Sequence, residues 1–133
     1  MKKKNSYENL QGHIRAMKTP VIETWENQYP GREYTIHLSV PEFTCICPKT
    51  GLPDFATINV DYIPAAKCIE LKSFKYYLFS YRNVGIFHEH LVNKILDDLV
   101  RSCQPRQARL AAVVSPRGGI QATVVAEYKR KKK

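Results

Sequence analysis

The sequence predicts an α+β domain in which two helices lie on one face of a four-stranded antiparallel sheet. Two segments near the middle of the chain alternate between apolar and polar residues, which is the period of a half-buried strand. Two later segments repeat apolar residues every three or four positions, as amphipathic helices do, and two further apolar segments follow. The resulting order, ββααββ, is typical of α+β proteins.

The first two predicted strands flank a loop of unusual composition. Residues 33–40 alternate strictly, and we expect Pro41 to end that strand. Residues 55–62 alternate again. The pair should therefore be antiparallel with an enlarged connection, which contains the segment CPKTGLPD, residues 47–54.

The two helices follow, separated by a short break. Residues 65–82 show one helical stripe, and the sequence Asn-Val-Gly at 83–85 supplies turn residues. Residues 88–102 form a second stripe, which Pro105 bounds. Helices with a single apolar stripe bury one side, so both should cover the same face of the sheet.

The last two strands are predicted over residues 110–115 and 120–128, joined by the turn SPRGG. A single sheet of this kind has two long edges, and such edges are usually paired or covered. We therefore expect copies of the chain to continue the sheet from one subunit to the next in a ring.

Length and charge indicate one folded domain between basic ends. The chain has 133 residues, of which 44% are hydrophobic and 25% charged, as in ordinary globular proteins. Eight of the nine excess positive charges lie in residues 2–4 and 129–133. We interpret residues 1–12 as a basic, flexible segment, 13–128 as the domain and 129–133 as a basic tail. Solvated tails are a commoner reason for such charge than RNA binding.

The four cysteines are Cys45, Cys47, Cys68 and Cys103. Because the N-terminal lysines precede a polar stretch and no segment is long enough to cross a membrane, we expect a cytoplasmic protein with reduced thiols. Cys45 and Cys47 are too close for the usual zinc spacing and no second pair follows, so no metal site is expected. Cys68 and Cys103 fall on helical patterns, where cysteine behaves as a small apolar residue.

The segment CPKTGLPD holds a thiol and a carboxyl group on a restricted loop. Cys47 could act as a nucleophile if its thiolate is stabilised, and Asp54 could transfer the proton. Two prolines and Gly51 limit the freedom of the loop, which would keep the two groups in a fixed relation. The alternative is a tight surface turn with an apolar cysteine at its start.

Two further stretches carry cations. Lys72 and Lys75 are three residues apart on a predicted helix and would share a face, which suits a phosphate-bearing ligand. Arg117 in the SPRGG turn could add a bidentate contact, with Gly118 permitting close approach of the backbone. The alternative is a solvated lysine face and an ordinary hairpin turn.

The motif FHEH opens the second helix. Glu89 could accept paired hydrogen bonds from the N–H edge of a purine-like ring while Phe87 covers its face, and His88 could add a polar contact. Alternatively, Glu89 only complements the positive end of the helix.

Taken together, the segments CPKTGLPDF, ELKSFKYYLFSYRN, FHEH and SPRGG resemble, in this order, the NADPH-dependent 7-cyano-7-deazaguanine reductases of queuosine biosynthesis, of the short unimodular type. The resemblance covers about residues 30–128. It implies the tunnelling fold, in which subunits join into rings, here two stacked pentamers with active sites between subunits. It also implies NADPH as cofactor and the free base as substrate, without a membrane or a requirement for nucleic acid.

The resemblance also implies a role for each motif. Cys47 would add to the nitrile carbon to give a covalent thioimide, and Asp54 would pass a proton to the nitrogen. Two hydride transfers from NADPH would then lead to the amine, 7-aminomethyl-7-deazaguanine. The implied substrate-binding residues are Glu70, Ser73, Phe87, His88 and Glu89. The implied cofactor-binding residues are Lys72, Lys75, Arg117 and Gly118.

The sequence departs from the family where some members carry a cysteine able to form a protective disulfide, because position 91 is leucine here. Three alternatives stay open beside the reductase. Amidinotransferases of the same fold act on the nitrile in tRNA, but they lack the ELKSFKYY helix motif. A basic RNA-binding protein without catalysis would use the tails. Zinc-dependent cyclohydrolases of the same fold would need a ligand pattern that is missing here.

Overall fold

The computed structural model describes residues 10–14 and 16–131. The lysines at positions 2–4, 132 and 133, and with them most of the predicted N-terminal segment, lie outside the described residues. Within them, six strands and two helices follow one another in the order β1, β2, β3, β4, α1, α2, β5, β6. Their bounds are Thr24–Glu26, Ile36–Ile46, Pro53–Ile63, Lys67–Ile69, Leu71–Phe79, His88–Cys103, Gln107–Val114 and Thr123–Lys129.

The main sheet has four antiparallel strands in the order β2-β3-β5-β6, so the predicted α+β class is confirmed. One face of this sheet is apolar, because the inward side chains of β3 and β5 are almost completely buried, among them Ile58, Val60 and Leu110. Helix α2 packs across β5 and β6, and the buried residues of both helices belong to the same core. In this chain β2 and β6 are the two outer strands of the sheet.

A second, two-stranded sheet was not predicted. Strand β1 pairs with β4, and Trp25 lies opposite Cys68. The prediction of a helix from residue 65 is therefore wrong at its start, since α1 begins only at Leu71 and Cys68 lies on a strand. Cys68 and Ile69 are both buried, and the Ile69 N–H donates to the Tyr62 hydroxyl at 2.9 Å. Tertiary pairing here outweighs the helical period of the sequence.

Strand β2 is longer than predicted. It runs through Pro41 to Ile46, so the prediction that Pro41 ends the strand is wrong. The register shifts between Val40 and Phe43, which is the signature of a bulge. Proline is tolerated there because β2 is an outer strand and its missing N–H breaks no hydrogen bond of the sheet. The connection to β3 therefore shortens to residues 47–52, which places Cys47 at the end of one strand and Asp54 near the start of the next.

Among the residues that the structure describes, no helix combines the length and apolar character needed to span a bilayer.

Candidate active site

The loop between β2 and β3 is closed by its own backbone. The Cys47 N–H donates to the Leu52 carbonyl at 2.8 Å, and the Gly51 N–H donates to the Cys47 carbonyl at 2.9 Å. Gly51 adopts a φ of 72°, in the left-handed region that favours glycine. The thiol of Cys47 is thus fixed at the mouth of a tight turn and stays half-buried.

The turn favours the thiolate of Cys47. Burial is the largest influence on its pKa and raises it, and the Asp54 carboxylate acts in the same direction. Hydrogen bonds from the Thr50 hydroxyl and from the backbone N–H groups of Thr50 and Lys49 outweigh these effects, so the pKa of Cys47 falls below its ordinary value of 9.0. Such a thiol is more reactive at neutral pH than an ordinary cysteine.

Asp54 is the second residue of β3 and is 3% exposed. It lies opposite Cys45 in the β2–β3 register, and its carboxylate forms an ion pair with the guanidinium of Arg117. Arg117 stands beside a two-residue turn, where its N–H and carbonyl both bond to Ile120 at 3.0 Å. The intervening Gly118 and Gly119 have φ of 58° and 79°, as a type I′ hairpin requires.

His88 faces the other side of the same carboxylate. It is the first residue of α2, it is buried, and its Nε2 lies 3.3 Å from Asp54 Oδ2. Burial, the largest influence, lowers the pKa of His88, and the Arg117 guanidinium adds to this against the Asp54 and Glu89 carboxylates. The imidazole is therefore mainly neutral at physiological pH.

The end of β2 holds the start of α2 in place. The Ile86 N–H donates to the Ile46 carbonyl at 3.1 Å, and the Ile46 N–H donates to the Val84 carbonyl at 2.9 Å. The side-chain oxygen of Gln11 accepts a hydrogen bond from the Phe87 N–H at 3.1 Å and lies 2.8 Å from His90 Nδ1. These contacts bring the FHEH motif to the Cys47 loop, while Glu89 stays exposed in the first turn of the helix.

Glu70 and Ser73, two of the predicted substrate-binding residues, are engaged within the chain. The Glu70 carboxylate caps α1 by accepting from the Ser73 N–H at 3.0 Å. The Ser73 hydroxyl donates to the Glu70 carbonyl at 2.8 Å and accepts from the Glu23 N–H at 2.8 Å. The hydroxyl of Ser73 therefore joins α1 to the residue that precedes β1.

The predicted cofactor-binding residues do not meet at one point of this chain. Lys72 and Lys75 are exposed on α1, but they line different cavities. The Lys72 cavity, of about 260 Å³, also contains Glu70 and Ser73. The Lys75 cavity, of about 450 Å³, lies between α1 and β2. Arg117 lines a third cavity with Thr50 and Asp54.

Three residues of the site were missed from the sequence. Thr50 bonds to the Cys47 thiol, Cys45 lies beside Asp54, and Gln11 supports the start of α2. The turn sequence PKTG was a usable signal for Thr50, since a hydroxyl often bonds back to its own turn. Cys45 and Gln11 gave no signal, because their positions depend on a strand register and on a contact across 76 residues.

Comparison with known proteins gives a consistent result. The profile of the family described as QueF-like protein matches residues 53–133. The chain is 54% identical over 114 residues to the NADPH-dependent 7-cyano-7-deazaguanine reductase of Elusimicrobium minutum, with 86% of each chain covered. It is 59% identical over 107 residues to the reductase of the same name from Halorhodospira halophila, covering 80% of this chain and 91% of that protein.

A solved structure has the same fold. The crystal structure of the archaeosine synthase QueF-Like in its apo form aligns with a TM-score of 0.68 and 24% sequence identity. The alignment covers 74% of this chain and 96% of that one. At this identity the likeness concerns the fold alone.

Proposed function

This chain belongs to the QueF-like family, and we propose that it is the NADPH-dependent enzyme that reduces the nitrile of 7-cyano-7-deazaguanine to the primary amine, 7-aminomethyl-7-deazaguanine. Its relatives with that name are more than half identical to it over most of their length. The reaction belongs to queuosine biosynthesis. The mechanism rests on one observation, the half-buried Cys47 thiol in a closed turn whose hydrogen bonds lower its pKa, within electrostatic reach of the buried Asp54 carboxylate.

Cys47 is the proposed nucleophile. A nitrile is a poor hydride acceptor, but addition of the sulfur to its carbon gives a thioimide whose protonated C=N bond accepts hydride readily. After the first reduction the C–S bond breaks, which releases the Cys47 thiolate and leaves an imine for the second reduction. The hydrogen bonds from Thr50 and the Lys49 backbone favour the thiolate both as attacking group and as leaving group.

Asp54 is the proposed proton carrier. Its carboxylate takes the proton that Cys47 loses and delivers it to the nitrile nitrogen as the C–S bond forms. The ion pair with Arg117 holds the carboxylate in one orientation, and the neutral imidazole of His88 borders its other oxygen. A carboxylate fixed in this way needs little reorganisation during the reaction.

Charged side chains are proposed to hold the phosphates of the cofactor; the described residues contain no glycine-rich dinucleotide motif. Bound NADPH supplies a hydride for each of the two reductions. Lys72 and Lys75 fit its phosphates, since both ammonium groups are exposed on one helix. Arg117 and Gly118 are proposed to contribute a further phosphate contact from the hairpin turn. Because Lys72 and Lys75 line different cavities, we assign them to different phosphates of the cofactor.

Substrate recognition is assigned to the FHEH motif and to the start of α1. Glu89, which is exposed, would accept hydrogen bonds from the N–H edge of the deazaguanine, while Phe87 covers the ring and His88 lines the pocket. Glu70 would assist with the lone pairs that remain on its two carboxylate oxygens, both of which accept from the Ser73 N–H, at 3.3 and 3.0 Å. Ser73 would act mainly by holding Glu70, since its hydroxyl is already used in the chain.

The proposed active enzyme is a ring of subunits built from the 13–128 domain, two stacked pentamers located in the cytoplasm. The outer edges of β2 and β6 have no partner strand among the described residues of a single chain, and joining these edges between copies would continue the sheet around a ring. A second subunit would also supply a wall for a site that is shallow in one chain, because Glu89 and the Cys47 loop both face outward.

The decisive experiment combines turnover with mass measurement. The protein is mixed with 7-cyano-7-deazaguanine and NADPH while the absorbance of the reduced cofactor is followed. We expect two equivalents of NADPH per product. Intact mass of the protein with substrate alone should show a covalent adduct on the wild type and on Cys45→Ala, and no adduct on Cys47→Ala.

Three results would contradict the proposal. Turnover by Cys47→Ala would exclude the thioimide, and an adduct that disappears in Cys45→Ala would move the nucleophile to the other thiol. Ammonia-dependent formation of an amidine without consumption of NADPH would indicate the amidinotransferase reaction.

A further inference from the structure

Three buried side chains, Asp54 and two of its neighbours, form a cluster that the proposed reaction does not fully use. The Cys45 sulfur, an Asp54 carboxylate oxygen and a His88 ring nitrogen all lie within 4.8 Å of one another. They come from β2, β3 and the start of α2, and Cys47 is not a member. The absence of a metal site was expected from cysteine spacing, but this set draws one ligand from each of three elements.

A second observation concerns the imidazole alone. His88 Nε2 is buried and has no hydrogen-bond partner, although Asp54 Oδ2 lies 3.3 Å away. Buried polar atoms nearly always have a partner, so an exception calls for a missing one. The spacing is informative, since a tetrahedral ion with bonds of about 2.0–2.1 Å to nitrogen and oxygen separates those atoms by about 3.3 Å.

The donor types identify the class of ion. A thiolate, an imidazole and a carboxylate suit Zn²⁺, which in catalytic sites has three protein ligands and a fourth position open to water or substrate. Burial, the largest influence, raises the pKa of Cys45 to about 12, so the thiol keeps its proton until a metal displaces it. Hard ions such as Mg²⁺ prefer oxygen ligands and would not choose this set.

The charges around the cluster also allow a cation. A Cys45 thiolate and the Asp54 carboxylate together neutralise a divalent ion. Arg117 pairs with Oδ1, so Oδ2 stays directed toward His88. The guanidinium would then hold the ligating carboxylate from outside, as partners of metal ligands commonly do. The positive charge of the Arg117 guanidinium then remains, and water can stabilise it because the Arg117 side chain is half exposed.

We propose that Cys45, Asp54 and His88 form an inhibitory site for Zn²⁺ or a similar thiophilic divalent ion. Binding removes the Asp54 carboxylate from proton transfer, so metal and turnover exclude one another. The site itself follows from the geometry of the cluster, whereas the inhibition rests on the proposed reductase function. An enzyme with this site is active only where free zinc is scarce.

The test uses Co²⁺ as a spectroscopic substitute, added to the assembled, chelator-treated protein without substrate. We expect one ion per chain, a near-ultraviolet thiolate-to-cobalt band and visible bands of tetrahedral cobalt, all displaced by Zn²⁺. Cys45→Ser should lose the thiolate band and weaken metal binding at least tenfold, whereas Cys47→Ala should keep both. Circular dichroism and gel filtration of each variant confirm that it is folded and assembled.

Inhibition provides an independent readout. Zinc should inhibit the wild type reversibly on addition of chelator, and Cys45→Ser, normalised to its own rate in chelator, should need at least tenfold more zinc. Absence of a cobalt band in the wild type would overturn the site, as would a band lost in Cys47→Ala and kept in Cys45→Ser. Cobalt bound at Cys45 in a protein without reductase activity would leave the site standing and reject the proposed function instead.

Discussion

Two buried aspartates, Asp98 and Asp54, serve different purposes in this fold. Asp98 lies in the middle of α2, where both of its oxygens have donors. Tyr77 donates its hydroxyl to Oδ2, Lys94 Nζ lies 2.9 Å from the same oxygen, and Arg101 lies 3.0 Å from Oδ1. Asp54, in contrast, has one ion pair with Arg117 and, on its other side, a histidine nitrogen without a hydrogen bond.

The difference agrees with a structural role for Asp98 and with the proton-transfer role that we propose for Asp54. Asp98 anchors a network that joins the two helices, since Asp98 lies on α2 and accepts from Tyr77 on α1. The Tyr77 hydroxyl also lies 2.8 Å from the Tyr81 hydroxyl. Burial, the largest influence, raises the pKa of Tyr77 and of Tyr81, so these hydroxyls stay protonated and keep donating. A fully occupied carboxylate cannot exchange protons easily, whereas Asp54 retains an oxygen that faces the site.

The sharpest test exchanges each carboxylate for its neutral amide. Asp54→Asn should lower kcat by about 10²–10⁴-fold, because the proton carrier is lost while shape is preserved. Substrate binding should remain, since Asp54 is not assigned to the heterocycle. Steady-state kinetics and calorimetric titration with substrate measure the two effects. A variant with near-normal kcat would remove Asp54 from the mechanism.

The same exchange at Asp98 should act on stability instead. Asp98→Asn leaves Lys94 and Arg101 without a carboxylate, and we expect a loss of about 2 kcal/mol in the free energy of unfolding. The value is below that of a fully buried pair because Arg101 is largely exposed and water screens it. Thermal unfolding at fixed protein concentration should show a Tm lower by about 6 °C.

Asp97→Asn is the matched control, since Asp97 is exposed on the same helix. Its Tm and kcat should match the wild type. If Asp98→Asn lost kcat with an unchanged Tm, the division between the two aspartates would be wrong.

The sequence predicted these two regions unequally. The segment around Cys47 and Asp54 allowed either a reactive pair or an ordinary turn, and only the resemblance to a family singled out the pair as the proposed reactive groups. The neighbours of Asp54 could not be predicted, since Cys45 and His88 reach it only through the strand register and the placement of α2. The Asp98 network was also hidden, because a polar residue in a helical pattern usually faces water.

The errors in predicting the fold have the same origin. Residues 67–69 fit a helical period, but they pair with β1, and no local pattern announces a partner more than 40 residues away. Pro41 reads as the end of a strand, yet an outer strand with a bulge accommodates it. The local periodicity of apolar residues therefore located most helices and strands, but long-range strand pairing determined where they begin and end.

A smaller effect should follow from the turn that activates Cys47. Thr50→Val removes one donor to the thiolate, so the pKa of Cys47 should rise while the backbone donors remain. The thiolate forms as pH rises through this pKa, and the rising limb of the alkylation rate of Cys47 against pH should therefore move to higher pH. The loss is greatest at low pH and vanishes well above both pKa values.

The rate of alkylation of Cys47 against pH measures this shift directly. Thr50→Ser, which keeps the hydroxyl, should restore the wild-type profile. A Thr50→Val profile that is lowered equally at every pH would show that Thr50 shapes the loop without favouring the thiolate.

The smallest effect is expected at Gln11, which supports the start of α2, where the proposed site lies. In the middle of the same helix, Lys94 and Arg101 pair instead with the structural Asp98. Gln11→Ala removes the acceptor that faces the Phe87 N–H and His90, at a cost of about 1 kcal/mol. Because Phe87 and Glu89 are assigned to binding, KM for the nitrile should rise about fivefold with kcat within twofold of the wild type. Gln11→Glu keeps an acceptor at this place and should recover most of the loss. A fall in kcat at constant KM would instead connect Gln11 to the alignment of His88 with Asp54, and the two ends of the helix would no longer differ in the way proposed.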